Sequence, residues 1–279
     1  MLVLVPSIEI DGKFIPNAAA RDNYERSVMA VGAKIKSVPF GQAFLDLIAN
    51  TPNKIVIAPA PDRNQVDTHA LDATHAFAPG FGFTNDKGVQ FQGAGGGSVT
   101  VIDYTPTGNF KGISADTTLI HELCHAWRQA RGVWKPLPIT NFFDDDAIKN
   151  PLMERFRFPN WEEFLGVVVE GLYSSESGSP TARTTQGDFG LFFAMRSTPQ
   201  KPNIFNPLPM TDSQIFAEKF RRALIRIMSE ELDLYRLMLV SRGWFNPVRD
   251  MADMARYKRE TVVPDLPASP IFSAPGNVL

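Results

Sequence analysis

The chain has 279 residues, of which 44% are hydrophobic and 21% are charged, and its formal net charge is −2. This composition is typical of a globular protein, and the nearly neutral charge argues against a protein that coats nucleic acid or an anionic membrane. The sequence has no apolar run as long as a membrane span, and its start lacks the basic region of a standard signal peptide. The single cysteine, Cys124, excludes an intrachain disulfide framework, and we interpret it as a packing residue.

The N-terminal part of the chain is predicted to contain short strands and two helices. The first fifteen residues should form two strands, SIEI and KFI, joined by a turn at Asp11-Gly12. Amphipathic spacing predicts helices over residues 21–36 and 40–50. The run KIVIAPA that follows them predicts a further strand.

A loop, two strands and a helix should come next. Residues 60–86 are rich in Pro, Asp, Asn and Gly, which favours a loop. Residues 88–106 are typical of two strands hinged on the run Gly93–Gly97, and SVTVIDY is the stronger strand. The helix after them is expected to begin near Asp116 and to end at Gly132, because these residues suit the two helix ends.

This helix contains the stretch TTLIHELCHAWRQARG, which holds two of the four histidines of the chain. Residues four apart lie on the same face of a helix, so His121 and His125 can place two imidazoles around one ion. Glu122 points to the side of that pair and can reach a water molecule on the ion. This is the H-E-x-x-H pattern, which combines two zinc ligands with a general base.

The C-terminal half is predicted to be mainly helical. Residues 133–159 contain four prolines and should be irregular, and a helix should run from Trp161 to about Ser174. A mobile loop is expected over residues 173–190. A long helix should begin at Thr211 or Asp212 and continue to Val240.

A catalytic zinc ion normally has three protein ligands and one open position, so a third ligand is required. The other histidines, His69 and His75, lie upstream in the predicted loop. A histidine six residues after His125 would indicate a metzincin, but this position is Arg131. The remaining choice is a carboxylate of the helix that follows Pro159.

Three glutamates of that helix are candidates, and the residues alone leave more than one interpretation open. Glu163 shares a helical face with Gly166, whose small size would let the two helices approach closely. Glu163 could instead form a capping box with Asn160, and Glu162, which we expect to face solvent, is the alternative ligand. Glu170 could orient a ligating histidine, but we interpret it as a solvated charge.

These segments together resemble a known family. The run HELCHAWRQARG, followed by EEFLGVVV and preceded by a Gly-rich stretch and SVTVIDYTP, is similar to the HExxH zinc metallopeptidases that bacteria deliver as type III effectors. The resemblance covers about residues 40–180. It implies an α+β, zincin-like (gluzincin-like) fold with a small mixed sheet packed on the motif helix and a mainly helical C-terminal part. In similar proteins, including clostridial neurotoxin light chains, the second glutamate of the pair is the ligand, which favours Glu163.

The expected domain organisation is simple. Residues 1–262 should form a single zincin-like metallopeptidase domain, because the sequence has no shift in composition that marks a boundary. Residues 263–279 are rich in proline and should form a C-terminal tail.

The predicted function is that of a zinc-dependent endopeptidase with a protein substrate. Zn²⁺ would be held by His121, His125 and Glu163. It would lower the pKa of a water molecule, and Glu122 would accept the proton of this water during attack on a peptide carbonyl. Tyr173 and Arg183 are candidates for stabilising the transition state.

Three further expectations concern the partners and the location of the protein. The strand SVTVIDY could be a sheet edge on which an extended substrate pairs, or an ordinary core strand. The family resemblance implies secretion without a standard signal peptide into the cytosol of a host or rival cell, the alternative being a cytoplasmic protein. The competing function is a non-catalytic zinc-binding or protein-binding module. Glu122 favours the enzyme, because a closed structural site needs no general base. Nothing in the sequence indicates an oligomeric state.

Overall fold

A computed structural model describes residues 1–62, 66–84, 87–107, 113–139, 158–183, 192–194 and 211–257. The predicted α+β class is confirmed, with a small mixed sheet packed on the motif helix and a mainly helical C-terminal part. The predicted tail at 263–279 and most of the predicted irregular segment 133–159 lie outside the described residues. Within the described ranges, no helix is both long and apolar enough to cross a membrane.

Five short strands form the main sheet, namely β1 (Leu2–Val5), β2 (Ile8–Ile10), β3 (Ile55–Pro59), β4 (Asp67–Ala70) and β7 (Thr100–Tyr104). Their order across the sheet is β1-β2-β3-β7-β4. The three inner strands run parallel, and each edge strand is antiparallel to its neighbour. Ile8, Ile57 and Ile102 of the inner strands are fully buried, so the sheet presents an apolar face to the helices.

The turn in the N-terminal hairpin lies earlier than predicted. β1 and β2 are joined at Pro6-Ser7, and KFI does not form a strand. Asp11 and Gly12 make other bonds instead: the Gly12 N–H donates to the carboxylate of Glu25 in the first helix at 3.1 Å, and the Asp11 carboxylate accepts from the Lys13 N–H at 2.9 Å. These bonds end β2 and lead the chain into the first helix.

The prediction of a continuous loop over residues 60–86 is wrong. This segment contains β4, a short helix α3 (Ala73–Ala76) and β5 (Gly82–Thr84). The side chains of β4 are half-buried or exposed, so backbone pairing with β7 forms the strand without a hydrophobic alternation in the sequence. β5 pairs with β6 (Gln90–Gln92). β6 and β7 are the two strands predicted on either side of the glycine run.

The helices predicted in the first half of the chain are confirmed. Helix α1 (Ala18–Lys36) begins earlier than predicted because the side chain of Asn17 accepts a hydrogen bond from the third residue of the helix. Helix α2 spans Pro39–Ala49. The motif helix α4 spans Ala115–Ala130, and Gly132 beyond it has a φ of +69°, as expected at a helix C-terminus.

The C-terminal half is helical but more divided than predicted. Helix α5 spans Trp161–Glu176, and the expected loop after it contains β8 (Thr181–Arg183), which pairs with β9 (Phe192–Ala194). The single helix predicted to end at Val240 is three helices, α6 (Asp212–Lys219), α7 (Arg221–Glu230) and α8 (Leu232–Val240). Helix α9 (Pro247–Tyr257) was not predicted. The apolar periodicity continues across both breaks and therefore conceals them.

Helix α4 lies at the centre of the fold. It packs against α1, β4 and β7, and most extensively against α5. Most of its residues from Leu119 onwards are buried, including the packing residue Cys124, which is fully enclosed. The motif helix is therefore held between the sheet on one side and α5 on the other.

Candidate metal centre

The two motif histidines lie side by side on the buried face of α4. His121 and His125 are 3% and 4% exposed, and their rings meet edge to face with centroids 4.6 Å apart. Their Nε2 atoms are 3.0 Å apart and point into the same space. The four-residue spacing thus brings two potential ligand atoms together, as the motif predicts.

The third potential ligand comes from the first turn of α5. Glu163 Oε2 lies 3.3 Å from His121 Nε2, and Glu163 Oε1 lies 3.4 Å from His125 Nε2. Asn160 caps this helix by accepting a hydrogen bond from the backbone N–H of Glu163 at 3.0 Å. The cap therefore uses the backbone of Glu163, and its carboxylate lies against the two histidines.

The donor set formed by these three residues fits a tetrahedral metal ion. All three ligand atoms lie within 4.8 Å of one another. Zinc bonds of about 2.0–2.2 Å in a tetrahedral site place neighbouring ligand atoms about 3.3–3.6 Å apart. The two N–O contacts, which go to different oxygens of Glu163, are 3.3 and 3.4 Å long, and the two Nε2 atoms are slightly closer, at 3.0 Å. Two imidazoles and a carboxylate leave the fourth position of a tetrahedron free. Catalytic zinc sites commonly have such a set, whereas closed structural sites have four protein ligands.

The charges around the histidines favour a cation between them. Burial by itself lowers the pKa of His121, but its hydrogen bonds to Glu163 and Glu170 raise this pKa to about 9. Burial by itself raises the pKa of Glu163, but the two imidazoles hold it well below its usual range. Both shifts arise from the carboxylates beside the imidazoles, an arrangement that also favours a divalent cation at this position.

Glu170 is buried and contacts the site, so the interpretation of this residue as a solvated charge is wrong. It is 2% exposed, and its Oε2 lies 3.1 Å from His121 Nδ1, the nitrogen that faces away from the ligand cluster. Arg183 of β8 donates to the same Glu170 oxygen at 2.6 Å, and its Nη2 lies 3.1 Å from His121 Nδ1. A carboxylate on the outer nitrogen fixes the ring orientation of a ligating histidine.

Glu122 is held by the edge strand of the sheet. Its Oε2 accepts a hydrogen bond of 2.7 Å from the hydroxyl of Thr68 on β4. Sequence reasoning missed Thr68 because its segment was predicted to be a loop. β7, which we considered as a sheet edge, lies between β3 and β4, so β4 is the edge strand.

The expectation that Glu162 faces solvent is also wrong. Its side chain is fully buried, and it accepts two hydrogen bonds from Arg128 of α4. Arg128 also donates to the carboxylate of Glu231, which lies between α7 and α8. Glu162 therefore faces away from the histidines and joins a buried ionic cluster.

Tyr173 lies away from the histidine cluster, so the structure does not favour a role for it in stabilising the transition state. Its hydroxyl donates to Asp116 at 2.6 Å, and Lys34 binds the other oxygen of Asp116 at 2.8 Å. Burial and the neighbouring carboxylate raise the pKa of Tyr173 well above its usual range. A cavity of about 320 Å³ lies between the Lys34–Asp116 pair and the Glu170–Arg183 pair. This cavity has room for part of a ligand.

Comparisons with known proteins give a family and solved structures that are similar to the chain. A model of the Peptidase_M91 family, described as "Effector protein", matches residues 12–155, which is more than half of the chain. No curated protein matches the chain. Among solved structures, the light chain of Clostridium botulinum neurotoxin serotype F is similar at 13% identity and a TM-score of 0.32, over 63% of this chain and 56% of that chain. The chain therefore spans little more than half the length of that light chain.

We predict that Gly166→Ala weakens metal binding without weakening the helix. A Cβ atom at this position would lie 2.8 Å from His121 Cε1, so the imidazole must move away from the groups that it contacts. Alanine favours a helix over glycine by about 0.5–1 kcal/mol, so helix content should be unchanged. Metal titration should show an affinity about 10-fold or more below that of the parent. This is the loss expected when a residue that supports a metal ligand is changed.

Gly171→Ala is the matched control for this prediction. It places a Cβ on the same helix, 2.7 Å from a ring carbon of Phe245, which belongs to the apolar core. This variant should lose stability in a thermal unfolding experiment but should bind the metal as the parent does. Equal metal affinities of the two variants would contradict the assignment of Gly166 as the point of close approach to His121.

Proposed function

The chain belongs to the Peptidase_M91 effector family, and we propose that it is a zinc-dependent endopeptidase that cleaves a protein substrate. One observation carries this proposal. His121, His125 and Glu163 place three potential ligand atoms within 4.8 Å of one another, and Glu122 lies next to His121 on the same helix without belonging to the set. A set of three with a carboxylate next to it suits a site that activates water.

The residues of the site have separable tasks in this mechanism. A zinc ion bound there supplies a Lewis acid and lowers the pKa of water towards neutrality. Glu122 accepts the proton of the attacking water and delivers it to the leaving amine, and the Thr68 hydroxyl holds its carboxylate in place. Glu170 holds the ring of His121 in the ligating orientation.

Arg183 is the candidate for stabilising the oxyanion that forms when water attacks the carbonyl. Its guanidinium lies beside His121, and two of its contacts go to Glu170 and to that ring. Its Nε is buried and has no hydrogen-bond partner among the described residues. Donors lower the barrier when they face the position where negative charge develops, so this role requires the Arg183 guanidinium to turn from the outer side of the His121 ring towards the substrate.

The edge strand β4 supports a protein as the substrate. One side of β4 pairs with β7, and the other side ends the sheet within the described part of the chain. An extended peptide that paired with this edge would pass next to Thr68 and therefore next to Glu122. Pairing through the backbone would align the peptide independently of its side chains.

We also propose that residues 1–262 form one domain and that residues 263–279 form a tail. The support is the buried core, which is continuous from Leu4 in β1 to Met251 in α9. Helix α8 packs against α2, so the C-terminal helices share this core with the N-terminal part. The helices beyond the segment matched by the family model are therefore expected to fold together with it.

The first prediction for this function concerns Glu122→Gln. Glutamine keeps the size and the hydrogen bond to Thr68 but cannot accept a proton, so cleavage should fall by about 10²–10⁴-fold. Zinc content should stay at the parent level, because Glu122 is not a ligand. The measurement is to incubate parent and variant with a cell lysate, map the new protein termini and determine bound zinc. Equal cleavage by both would exclude Glu122 as the base. A parent that binds zinc but produces no new termini would support the non-catalytic module.

The second prediction separates the two interpretations of Glu163 by using its capping residue. Glu163→Ala removes an anionic ligand but leaves the backbone N–H that Asn160 caps, so zinc binding should be lost with little change in stability. Asn160→Ala removes the cap and should cost about 0.5–2 kcal/mol of stability while zinc stays bound. Zinc titration and thermal unfolding of both variants test this crossed pattern. Tight zinc binding by the Glu163→Ala variant would exclude Glu163 as a ligand.

The third prediction concerns location. We propose that the protein acts in the cytosol of a host or rival cell, and the family description as an effector supports this. A tagged protein should appear in the cytosol of target cells when the producing cells are grown under conditions that induce specialised secretion. Detection only inside the producing cells under those conditions would instead identify a cytoplasmic protein.

A further inference from the structure

A fully buried arginine lies one turn beyond the second histidine of the motif. Arg128 is 1% exposed, and its guanidinium bonds in three directions. It donates through Nε and Nη2 to Glu162, with Nη2 3.1 Å from Oε1, and through Nη1 to Glu231. Nη2 also donates to the backbone carbonyl of Val133 at 2.9 Å. The planar fork of an arginine suits this arrangement, because it can bind several acceptors at fixed angles.

Stability does not account for this cluster. Moving an arginine and two carboxylates out of water carries a large desolvation cost, and apolar side chains of similar volume often do as well or better. Burial by itself lowers the pKa of Arg128, but Glu162 and Glu231 raise it well above its usual range, so the arginine stays charged. Arg131 donates to the second oxygen of Glu231 at 2.6 Å, which leaves each carboxylate with cationic partners. What such a cluster provides is fixed geometry.

The geometry that it fixes is that of the zinc ligands. Glu162 directly precedes Glu163, so the bond between Glu162 and Arg128 ties the first turn of α5 to the helix that carries both histidines. Glu162 Oε1 also accepts from the backbone N–H of Lys135 at 2.6 Å, which fastens the turn after α4 to the same point. A residue near a helix end is otherwise free to fray, and Glu163 lies only three residues beyond its cap.

We propose that Arg128 is the positioning residue that holds Glu163 at the metal. Through the bond between Glu231 and Arg128, the C-terminal helices would then support the geometry of the metal centre. This inference rests on the proposed function, since it presupposes that His121, His125 and Glu163 bind zinc. It adds a role for residues beyond the segment 12–155 that the family model matches. Glu162 and Glu231 both lie outside that segment.

The neighbour of Glu231 provides a matched control for the test. Glu230 is exposed and pairs with Arg226 at 2.7 Å and with Lys135 at 3.9 Å. It has the same charge as Glu231 and directly precedes it in the chain, but its ion pairs do not include Arg128. Glu230→Gln therefore removes a carboxylate from this region and leaves the buried cluster intact.

The experiment compares zinc affinity and coordination geometry in the full chain for Arg128→Met, Arg128→Lys, Glu231→Gln and Glu230→Gln. Zinc affinity is measured by competition with a chelating dye. Geometry is read from the visible spectrum of Co²⁺ bound in place of zinc, which depends on coordination. Circular dichroism of the metal-free proteins shows which variants are folded. Neither readout requires a substrate.

Arg128→Met should lower zinc affinity about 10–100-fold and alter the Co²⁺ spectrum, which is the scale expected when a partner behind a ligand is lost. Arg128→Lys should restore part of the affinity, because an ammonium can bind one of the two carboxylates but not both at the original angles. Glu231→Gln should weaken zinc binding less than Arg128→Met, and Glu230→Gln should match the parent. If Arg128→Met does not fold, Glu231→Gln carries the test, since it keeps the volume of the side chain.

Two outcomes overturn the inference, and they are distinguishable. If the folded variants bind zinc as tightly as the parent and give its Co²⁺ spectrum, the cluster is only structural and the proposed function stands. If the parent itself does not bind zinc, the proposed function fails and this inference fails with it.

Discussion

The contact between α4 and α5 is the constraint on which the rest of the site depends. The histidines come from one helix and the carboxylate from the other, so a tetrahedral ligand set forms only if the two backbones approach closely. Gly166 permits this approach, because any larger residue would place a carbon within 3 Å of the His121 ring. The sheet packs against the other side of α4, so the position of the motif helix relative to α5 is fixed.

The same packing gathers the charges that a metal ion would balance. Glu163 and Glu170 contact opposite nitrogens of His121, and Glu122 lies one residue further along the helix. Arg183 offsets Glu170 but is held on the outer side of the ring. The inner side therefore keeps an excess of negative charge, which favours a cation there. The charge that favours a metal ion and the orientation of the candidate ligands thus have one physical origin.

Sequence reasoning could predict the parts of the site that depend on local geometry. His121, His125 and Glu122 follow from helical spacing. The periodicity of the next helix puts Glu163 and Gly166 on one face, and the family resemblance favours Glu163 as the third ligand. Periodicity shows which residues share a face, but it does not show what covers the other faces. Glu162 was predicted to face solvent because its partner Arg128 lies 34 positions away and Glu231 lies 103 positions from that arginine. Strand β4 was missed for a related reason, since its partner is β7 and its own side chains carry no apolar pattern.

The break between α7 and α8 shows how such a distant partner can shape local structure. The apolar spacing of residues 211–240 favours one continuous helix, yet the backbone of Glu231 leaves the helical region, with φ −135° and ψ 60°. At the same residue the side chain enters the core and binds Arg128 and Arg131. A carboxylate on an unbroken helix would have to lie along the helix surface, whereas the break lets it reach the centre of the fold. The requirement to reach Arg128 therefore gives a physical reason for an interruption that the periodicity of the sequence conceals.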